Sequence, residues 1–290
     1  MLVVLSTAAF SVFAQEAQPI AAPPSYLGTI NAQFPCSQSF PTLGYEPAHA
    51  EPTAKHPLFI YLCGTEKQIG ANYDSDPALA VAQAMAKRGF VALTASYDNG
   101  RTASAAKSRC LFDPEQREGL LAQACALPNV DCNLGVAVWG HSQGGALALT
   151  AANFAKGPGG THLVRAAWAT GVSLVWNTNF ALPKDRIRLL NGRKDFPNAF
   201  TFLLERITGL DAPSQCVGGA NQQCLRANGS GWVIVNAVPG VIGEDHCWFQ
   251  AGGCTTTRTV APGFGQPGSR AAYSLELNAD WVAATAATPW

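Results

Sequence analysis

Hydrophobic and polar positions follow one another along this chain in blocks whose lengths fit buried strands and helices. Residues 57–64, PLFIYLCG, form a continuous apolar run between Pro57 and Gly64, a pattern that predicts a strand buried on both faces. Further apolar runs predict five more strands, at residues 90–98, 135–140, 163–171, 186–192 and 231–238.

Helical segments separate these runs. The predicted helices fall in residues 76–89, 113–128, 142–156 and about 272–287. The first begins with Asp76 as N-cap and Pro77 at the first helical position, and Gly89 ends it. The second repeats the Asp-Pro start at Asp113 and Pro114.

Strands that alternate with helices of 10 to 15 residues indicate crossover connections and a parallel sheet. We therefore expect an α/β protein with one domain over residues 31–290, a mostly parallel twisted sheet and helices on both faces. The intervals 99–113 and 210–230 are too long for plain connectors, so we expect them to decorate one face. The second interval is also the segment that could form a lid.

The N-terminus reads as an export signal. Residues 1–14 form an apolar segment that ends in Val-Phe-Ala, which suits signal peptidase cleavage after Ala14. The positive residues that normally begin a signal peptide are missing, which indicates either a misplaced start codon or a truncated peptide. The alternative to an export signal is an apolar first helix. Residues 15–30 are predicted to be a flexible leader. The expected location is secreted or periplasmic.

Composition narrows the possible partners. The chain has 290 residues, 48% hydrophobic, with 19 basic and 19 acidic side chains. This balance provides no electrostatic attraction to nucleic acid, and no run of 18 apolar residues follows the N-terminus, so we expect neither a nucleic-acid partner nor a membrane span. The oligomeric state cannot be predicted from these features.

Nine cysteines are typical of an exported, disulfide-containing protein. Spacing suggests the pairs Cys125–Cys132, Cys216–Cys224, Cys247–Cys254 and, at long range, Cys36–Cys110, with Cys63 left unpaired in a strand, although spacing does not determine connectivity. A zinc site is the weaker alternative, because C-x₂-C pairs are missing and the histidines lack ligand spacing. We expect no metal and no cofactor.

Ser142 lies where the third predicted strand turns into a helix, in the sequence GHSQG. Gly140 and Gly144 flank it at two-residue spacing, as a sharp, strained turn requires. Such a turn lifts the hydroxyl clear of the sheet, and the following helix N-terminus favours developing negative charge. A purely structural turn is the alternative, but the strand, turn and helix together indicate a nucleophile.

A serine nucleophile needs a base and an acid at the carboxyl edge of the parallel sheet. His246 is the histidine that follows the last strand, whereas His49, His56 and His162 precede strands and His141 adjoins the serine. Asp195 follows the fifth strand by three residues, and Asp98 is the competing acid. The chain order Ser142, Asp195, His246 is the order of a hydrolase triad.

These segments resemble the α/β-hydrolase superfamily over roughly residues 50–290. The segment VDCNLGVAVWGHSQGGALAL is similar to the nucleophile strand of bacterial esterases, lipases and dienelactone-hydrolase-like proteins, LLNGRKD to the acid strand and EDHCWF to the histidine loop. The resemblance implies the α/β-hydrolase fold, with Ser142 as nucleophile, Asp195 as acid and His246 as base.

The resemblance also implies an oxyanion hole made by the backbone N–H groups of Gln143 and of Thr65, which lies in the Gly64-Thr65-Glu66 loop. Many relatives carry His-Gly at the start of that loop, where this chain has Cys63-Gly64. This departure falls in the loop that would supply the second donor, Thr65.

The expected activity is hydrolysis of a carboxylic ester, with amides as poor substrates. Aromatic side chains that follow strand ends either line an acyl pocket or pack in the core; they are Trp176, Phe180, Phe196, Trp248 and Phe249. A disulfide beside the histidine resembles secreted polyester-degrading relatives, so the ester could be small or polymeric. The alternatives are a serine peptidase or amidase and an inactive binding protein of the same fold.

Overall fold

The structure is a computed structural model that describes residues 16–30, 35–48, 51, 53–66, 68–100, 103–172, 179–193, 195, 200–211, 216–218, 221–235, 246 and 262–290. The strands are β1 Ala17–Pro19, β2 Tyr26–Gly28, β3 Gln38–Phe40, β4 Thr42–Pro47, β5 Leu58–Leu62, β6 Val91–Ala95, β7 Val136–His141, β8 Val164–Thr170, β9 Ile187–Gly192, β10 Gln222–Leu225 and β11 Gly231–Val235. The helices are α1 Asp76–Ala86, α2 Ala105–Phe112, α3 Leu120–Cys125, α4 Gln143–Thr150, α5 Phe200–Thr208, α6 Pro262–Gly265 and α7 Leu275–Ala286. Short 3₁₀ turns occupy 132–134, 151–153, 158–160 and 184–186.

Nine of these strands form one sheet in the order β1-β4-β6-β5-β7-β8-β9-β11-β10. The six central strands, β6-β5-β7-β8-β9-β11, run parallel to one another. The strands β4 and β10 are antiparallel to their neighbours. The crossover through α1 moves toward one edge and the crossover through α4 toward the other. Right-handed crossovers in opposite directions place these two helices on opposite faces. This is the α/β-hydrolase fold, as predicted.

The six predicted strands are confirmed as β5, β6, β7, β8, β9 and β11. Every residue of β5 is at most 2% exposed, because neighbouring strands cover both of its edges and helices cover the faces. A row of aromatic side chains crosses the sheet from Tyr61 to Trp139 and Trp168, and the two indoles stack at 4.2 Å between centroids. Continuous apolar runs therefore identify the centre of the sheet.

The predicted helix start at Asp113 is wrong. Asp113 ends α2 instead, with extended backbone at φ −79° and ψ 114°. A residue before proline disfavours helical backbone, so Pro114 stops the preceding helix, and α3 begins only after Gly119. In α1 the cap is Ser75, and Asp76 lies inside the first turn.

Two segments that were expected to lie outside the sheet form its margins. Residues 17–19 pair with residues 45–47, and Tyr26 is buried with its hydroxyl donating to the Ser96 carbonyl. Residues 17–30 are therefore part of the folded domain and not a flexible leader. At the other margin, β10 lies within the interval 210–230 and pairs with β11, so this part is an edge strand and not a lid.

Three of the four predicted disulfides are present, namely Cys36–Cys110, Cys125–Cys132 and Cys216–Cys224. Cys63 is unpaired and buried, also as predicted. Cys247 and Cys254 lie outside the described residues, as does the predicted signal peptide. Among the described helices none has both the length and the apolar character needed to cross a membrane.

Candidate active site

The turn between β7 and α4 is sharp and strained. Ser142 has φ +52° and ψ −116°, which a residue other than glycine rarely adopts. A Cβ atom on Gly140 would lie 2.0 Å from the Gly144 carbonyl oxygen, and one on Gly144 would lie 2.2 Å from the Leu62 carbonyl oxygen. The predicted requirement for both glycines is confirmed. The turn places Ser142 at the carboxyl edge of the sheet.

Asp195 and His246 are in contact at this same edge. His246 Nδ1 and Asp195 Oδ1 are 2.5 Å apart, and the other carboxylate oxygen accepts a hydrogen bond of 3.2 Å from Asn191 Nδ2. The Asp195 carboxylate is fully buried, whereas 31% of the imidazole is exposed. A carboxylate on Nδ1 holds the proton there, which leaves Nε2 free to accept another.

The imidazole of His246 lies beside the serine turn. Its ring centroid is 4.8 Å from that of His141, the residue before Ser142. A Cβ atom on Gly171 would lie 3.2 Å from His246 Cε1, and the preceding residue, Thr170, accepts a 2.8 Å hydrogen bond from the Ser142 amide. The structure thus brings Ser142, Asp195 and His246 to one place.

The competing acid, Asp98, has a different partner. Its carboxylate is buried and lies 3.5 Å from the Lys107 ammonium. It follows β6, which is five strand positions from β11, about 24 Å at the usual strand spacing. Asp195 follows β9, the immediate neighbour of β11. The base that follows β11 therefore meets Asp195.

The two residues expected to form the oxyanion hole contact each other. Gln143 Nε2 donates to Thr65 Oγ1 at 3.0 Å. A Cβ atom on Gly64 would lie 3.1 Å from Ser142 Cβ, so the loop after β5 packs directly against the serine. Gln143 is also the first residue of α4, and its amide lies at the positive end of that helix.

Cys63, the departure from the family pattern, is a neutral buried thiol. Its Sγ accepts from Asn99 Nδ2 at 3.3 Å and donates to the Ala71 carbonyl at 3.1 Å. Burial raises its pKa to about 12. The substitution therefore adds no charge and no nucleophile to the loop that carries Thr65.

Two neighbouring polar residues were given no part in the site from the sequence. His141 is buried, its Nδ1 lies 3.1 Å from Thr170 Oγ1, and burial, with a further contribution from His246, lowers its pKa well below 6.5. Asn191 is buried against the Asp195 carboxylate. The only sequence signal for His141 was its place directly before Ser142. Asn191 lies inside an apolar strand and gave no sequence signal.

Of the remaining predicted residues, the structure describes Phe180, His56 and His162. Trp176, Phe196, Trp248 and Phe249 lie outside the described residues, and the partly buried Phe180 packs against the core. His56 and His162 precede β5 and β8, at the opposite edge of the sheet. Within the described ranges, no group of three His, Cys, Asp or Glu side chains could hold a metal ion.

No protein-family model and no curated protein matches this sequence. Similar solved structures include a hypothetical protein from Pseudomonas aeruginosa, 19% identical with a TM-score of 0.35, over 60% of this chain and 49% of that one. Vibralactone cyclase is 18% identical with a TM-score of 0.39, over 55% and 43%. Acetyl xylan esterase from Aspergillus awamori is 13% identical with a TM-score of 0.47, over 79% and 93%. The match spans less than half of the first two proteins, and we carry no activity over from any of them.

Proposed function

We propose that this protein is a serine hydrolase that cleaves carboxylic esters through an acyl-enzyme. The observation that carries the proposal is the 2.5 Å contact between Asp195 and His246 beside the strained Ser142 turn. A buried carboxylate on one imidazole nitrogen and a serine held in a strained turn beside the ring are the arrangement that nucleophilic catalysis by serine uses.

In this mechanism the Ser142 hydroxyl oxygen attacks the ester carbonyl carbon while His246 Nε2 takes the hydroxyl proton. Asp195 stabilises the imidazolium that forms. The carbonyl oxygen becomes an oxyanion and accepts hydrogen bonds from the backbone N–H groups of Gln143 and Thr65. Collapse of the tetrahedral intermediate breaks the bond to the alcohol oxygen, which receives the proton from His246. Water then repeats the sequence and releases the acid from Ser142.

An ester is favoured over an amide because of the leaving group. An amine must be protonated by the His246 imidazolium as it departs, whereas an alkoxide is a better leaving group and demands less of the proton donor. The His246 side chain is 31% exposed, which suits the less demanding reaction. We propose a small or polymeric ester as the substrate class.

We further propose that the protein acts outside the reducing cytosol. Three disulfides support this location, because such bonds are rare as structural elements in reduced compartments. The apolar residues 1–14 are consistent with an export signal.

The decisive experiment replaces Ser142 with alanine. On p-nitrophenyl esters, Ser142→Ala should lose about 10⁴- to 10⁶-fold in kcat and keep the wild-type circular dichroism. Ser39→Ala, at an exposed serine on β3, makes the same chemical change and should keep full activity. A folded Ser142→Ala variant with a tenth of wild-type activity would exclude the proposed nucleophile.

The substrate class is tested with matched ester and anilide substrates that share one acyl group. We expect kcat/KM to be far higher for the ester. Equal values would indicate an amidase, and an inactive wild-type protein that still bound the esters would indicate a binding protein.

A further inference from the structure

A buried lysine connects α2 to both residues of the proposed oxyanion hole. Lys107 is 2% exposed, and its ammonium donates to Gln143 Oε1 at 3.1 Å and to the Asp98 carbonyl, with the Asp98 carboxylate 3.5 Å away. A charge inside a protein is costly unless it is paired and hydrogen-bonded. The position of Lys107 is therefore closely determined by these groups.

Lys107 determines which way the Gln143 amide faces. An ammonium group can only donate, so the Gln143 oxygen must face Lys107 and the nitrogen must face the opposite way. That nitrogen donates to Thr65 Oγ1 at 3.0 Å and to the Asn99 carbonyl at 3.3 Å. With the amide reversed, its oxygen would face the Asn99 carbonyl, and the two acceptors would repel each other.

The Gln143 side chain in turn holds an exposed loop. Thr65 is solvent-exposed, and the Asn99 carbonyl that accepts from Gln143 also accepts a 3.1 Å hydrogen bond from the Glu66 amide. The loop after β5 is thus attached at two consecutive residues to one polar network. Oxyanion stabilisation depends on donors that are already in place when charge develops.

We propose that Lys107 is a positioning residue for ester hydrolysis: it preorganises the oxyanion hole by orienting the Gln143 amide, which holds Thr65. The inference rests on the proposed function. The disulfide Cys36–Cys110 joins α2, three residues beyond Lys107, to the segment before β3 and so restricts movement of the helix that carries the ammonium.

The test uses a charge-neutral pair, Asp98→Asn with Lys107→Met, because Lys107→Met alone would leave a buried carboxylate without its cation. We expect kcat on p-nitrophenyl esters to fall about 10- to 100-fold with KM within about twofold, less than the loss of a whole oxyanion donor. Lys87→Met, at the exposed end of α1, is the matched control and should retain wild-type kcat.

A double-mutant cycle separates positioning from a general structural effect. Thr65→Val removes the hydroxyl acceptor, keeps the backbone N–H and lies at an exposed site, so the fold should be retained. It should lower kcat by a similar factor, and the Asp98→Asn/Lys107→Met pair should then add little. Should the pair fail to fold, Thr65→Val alone still tests the network.

A folded pair variant with wild-type kcat would overturn the inference, and so would losses that multiply in the combined variant. Unchanged kcat in Thr65→Val would also overturn it. Failure of the proposed function is recognised separately, by a wild-type protein without esterase activity or by activity that survives Ser142→Ala.

Discussion

The environment of Asp195 is determined by two neighbouring side chains. Its two oxygens are divided between His246 Nδ1 and the Asn191 amide, and no part of the carboxylate reaches solvent. This arrangement directs the negative charge toward the imidazole. Asp98 uses its charge to compensate Lys107 instead.

We predict that Asp195→Asn lowers kcat by about 10⁴-fold, because an amide in place of the carboxylate no longer holds the required tautomer of His246 or stabilises the imidazolium. Asp98→Asn, the same change at the competing carboxylate, should cost far less. Steady-state kinetics on one ester compares the two variants, and a greater loss from Asp98→Asn would reverse the assignment.

His141 should make the fold sensitive to acid. Its folded pKa lies well below the unfolded value of 6.5, so below that pH the unfolded chain binds a proton that the folded chain does not. The contribution of His141 to the free energy of unfolding is fully present above pH 6.5. It is lost as the pH falls toward the lowered pKa, at up to about 1.4 kcal/mol per pH unit.

Urea unfolding between pH 5 and pH 8 measures this effect. His141→Gln removes the titrating group, so the free energy of unfolding should depend less steeply on pH in the variant. An identical slope in wild type and variant below pH 6.5 would contradict the prediction.

At the scale of elements, the connection from β7 to α4 depends on backbone packing that leaves no room for side chains. The Gly140 Cα faces the first turn of α4, and Gly144 packs against the end of β5. The backbone of α4 therefore lies closer to β7 and to the end of β5 than a side chain at Gly140 or Gly144 would allow.

We predict that Gly140→Ala destabilises the protein by about 4 kcal/mol, because the methyl group would overlap the backbone of Gly144 at 2.0 Å. Gly218→Ala is the matched control, since a Cβ atom there meets no atom of the described residues within 4 Å. Thermal unfolding measures both. A Gly140→Ala protein with the wild-type Tm would show that the turn is not as tight as described.

At the scale of the whole molecule, two of the disulfides close loops of very different length. Cys36–Cys110 joins residues 74 apart and fastens α2 to the segment before β3, whereas Cys125–Cys132 closes a short loop after α3. Longer loops lose more conformational entropy in the unfolded chain when they are closed.

Removal of these two bridges should therefore have unequal effects. Cys36→Ala/Cys110→Ala should lower the free energy of unfolding by roughly 4.5 kcal/mol and Cys125→Ala/Cys132→Ala by roughly 2.5 kcal/mol, on the chain-entropy model. Guanidinium unfolding of the oxidised proteins measures both. A larger loss from the short loop would contradict the entropic origin of the difference.

The six central strands and the serine turn could be predicted because their signals are local. Continuous apolar runs such as residues 58–62 are buried whatever strands lie beside them, and two glycines around Ser142 specify a sharp turn in any parallel sheet. The sequence signals were weaker for the strands at the two edges of the sheet. β1 and β10 are short and only partly buried, so their sequences resemble those of loops, and only pairing with β4 and β11 makes them strands.

Which residues contact one another in the site depended on the order of strands across the sheet, and local sequence patterns do not encode that order. Asp98 and Asp195 both follow parallel strands, but β9 pairs with β11 and β6 does not, so only Asp195 can meet the histidine that follows β11. Lys107 reaches Gln143 for the same reason: α2 and α4 pack on one face although 36 residues separate the two side chains. The sequence by itself determined which residues stand at the carboxyl edge of the sheet, and tertiary structure decided which of them touch, because contact across a sheet depends on strand neighbours and not on distance along the chain.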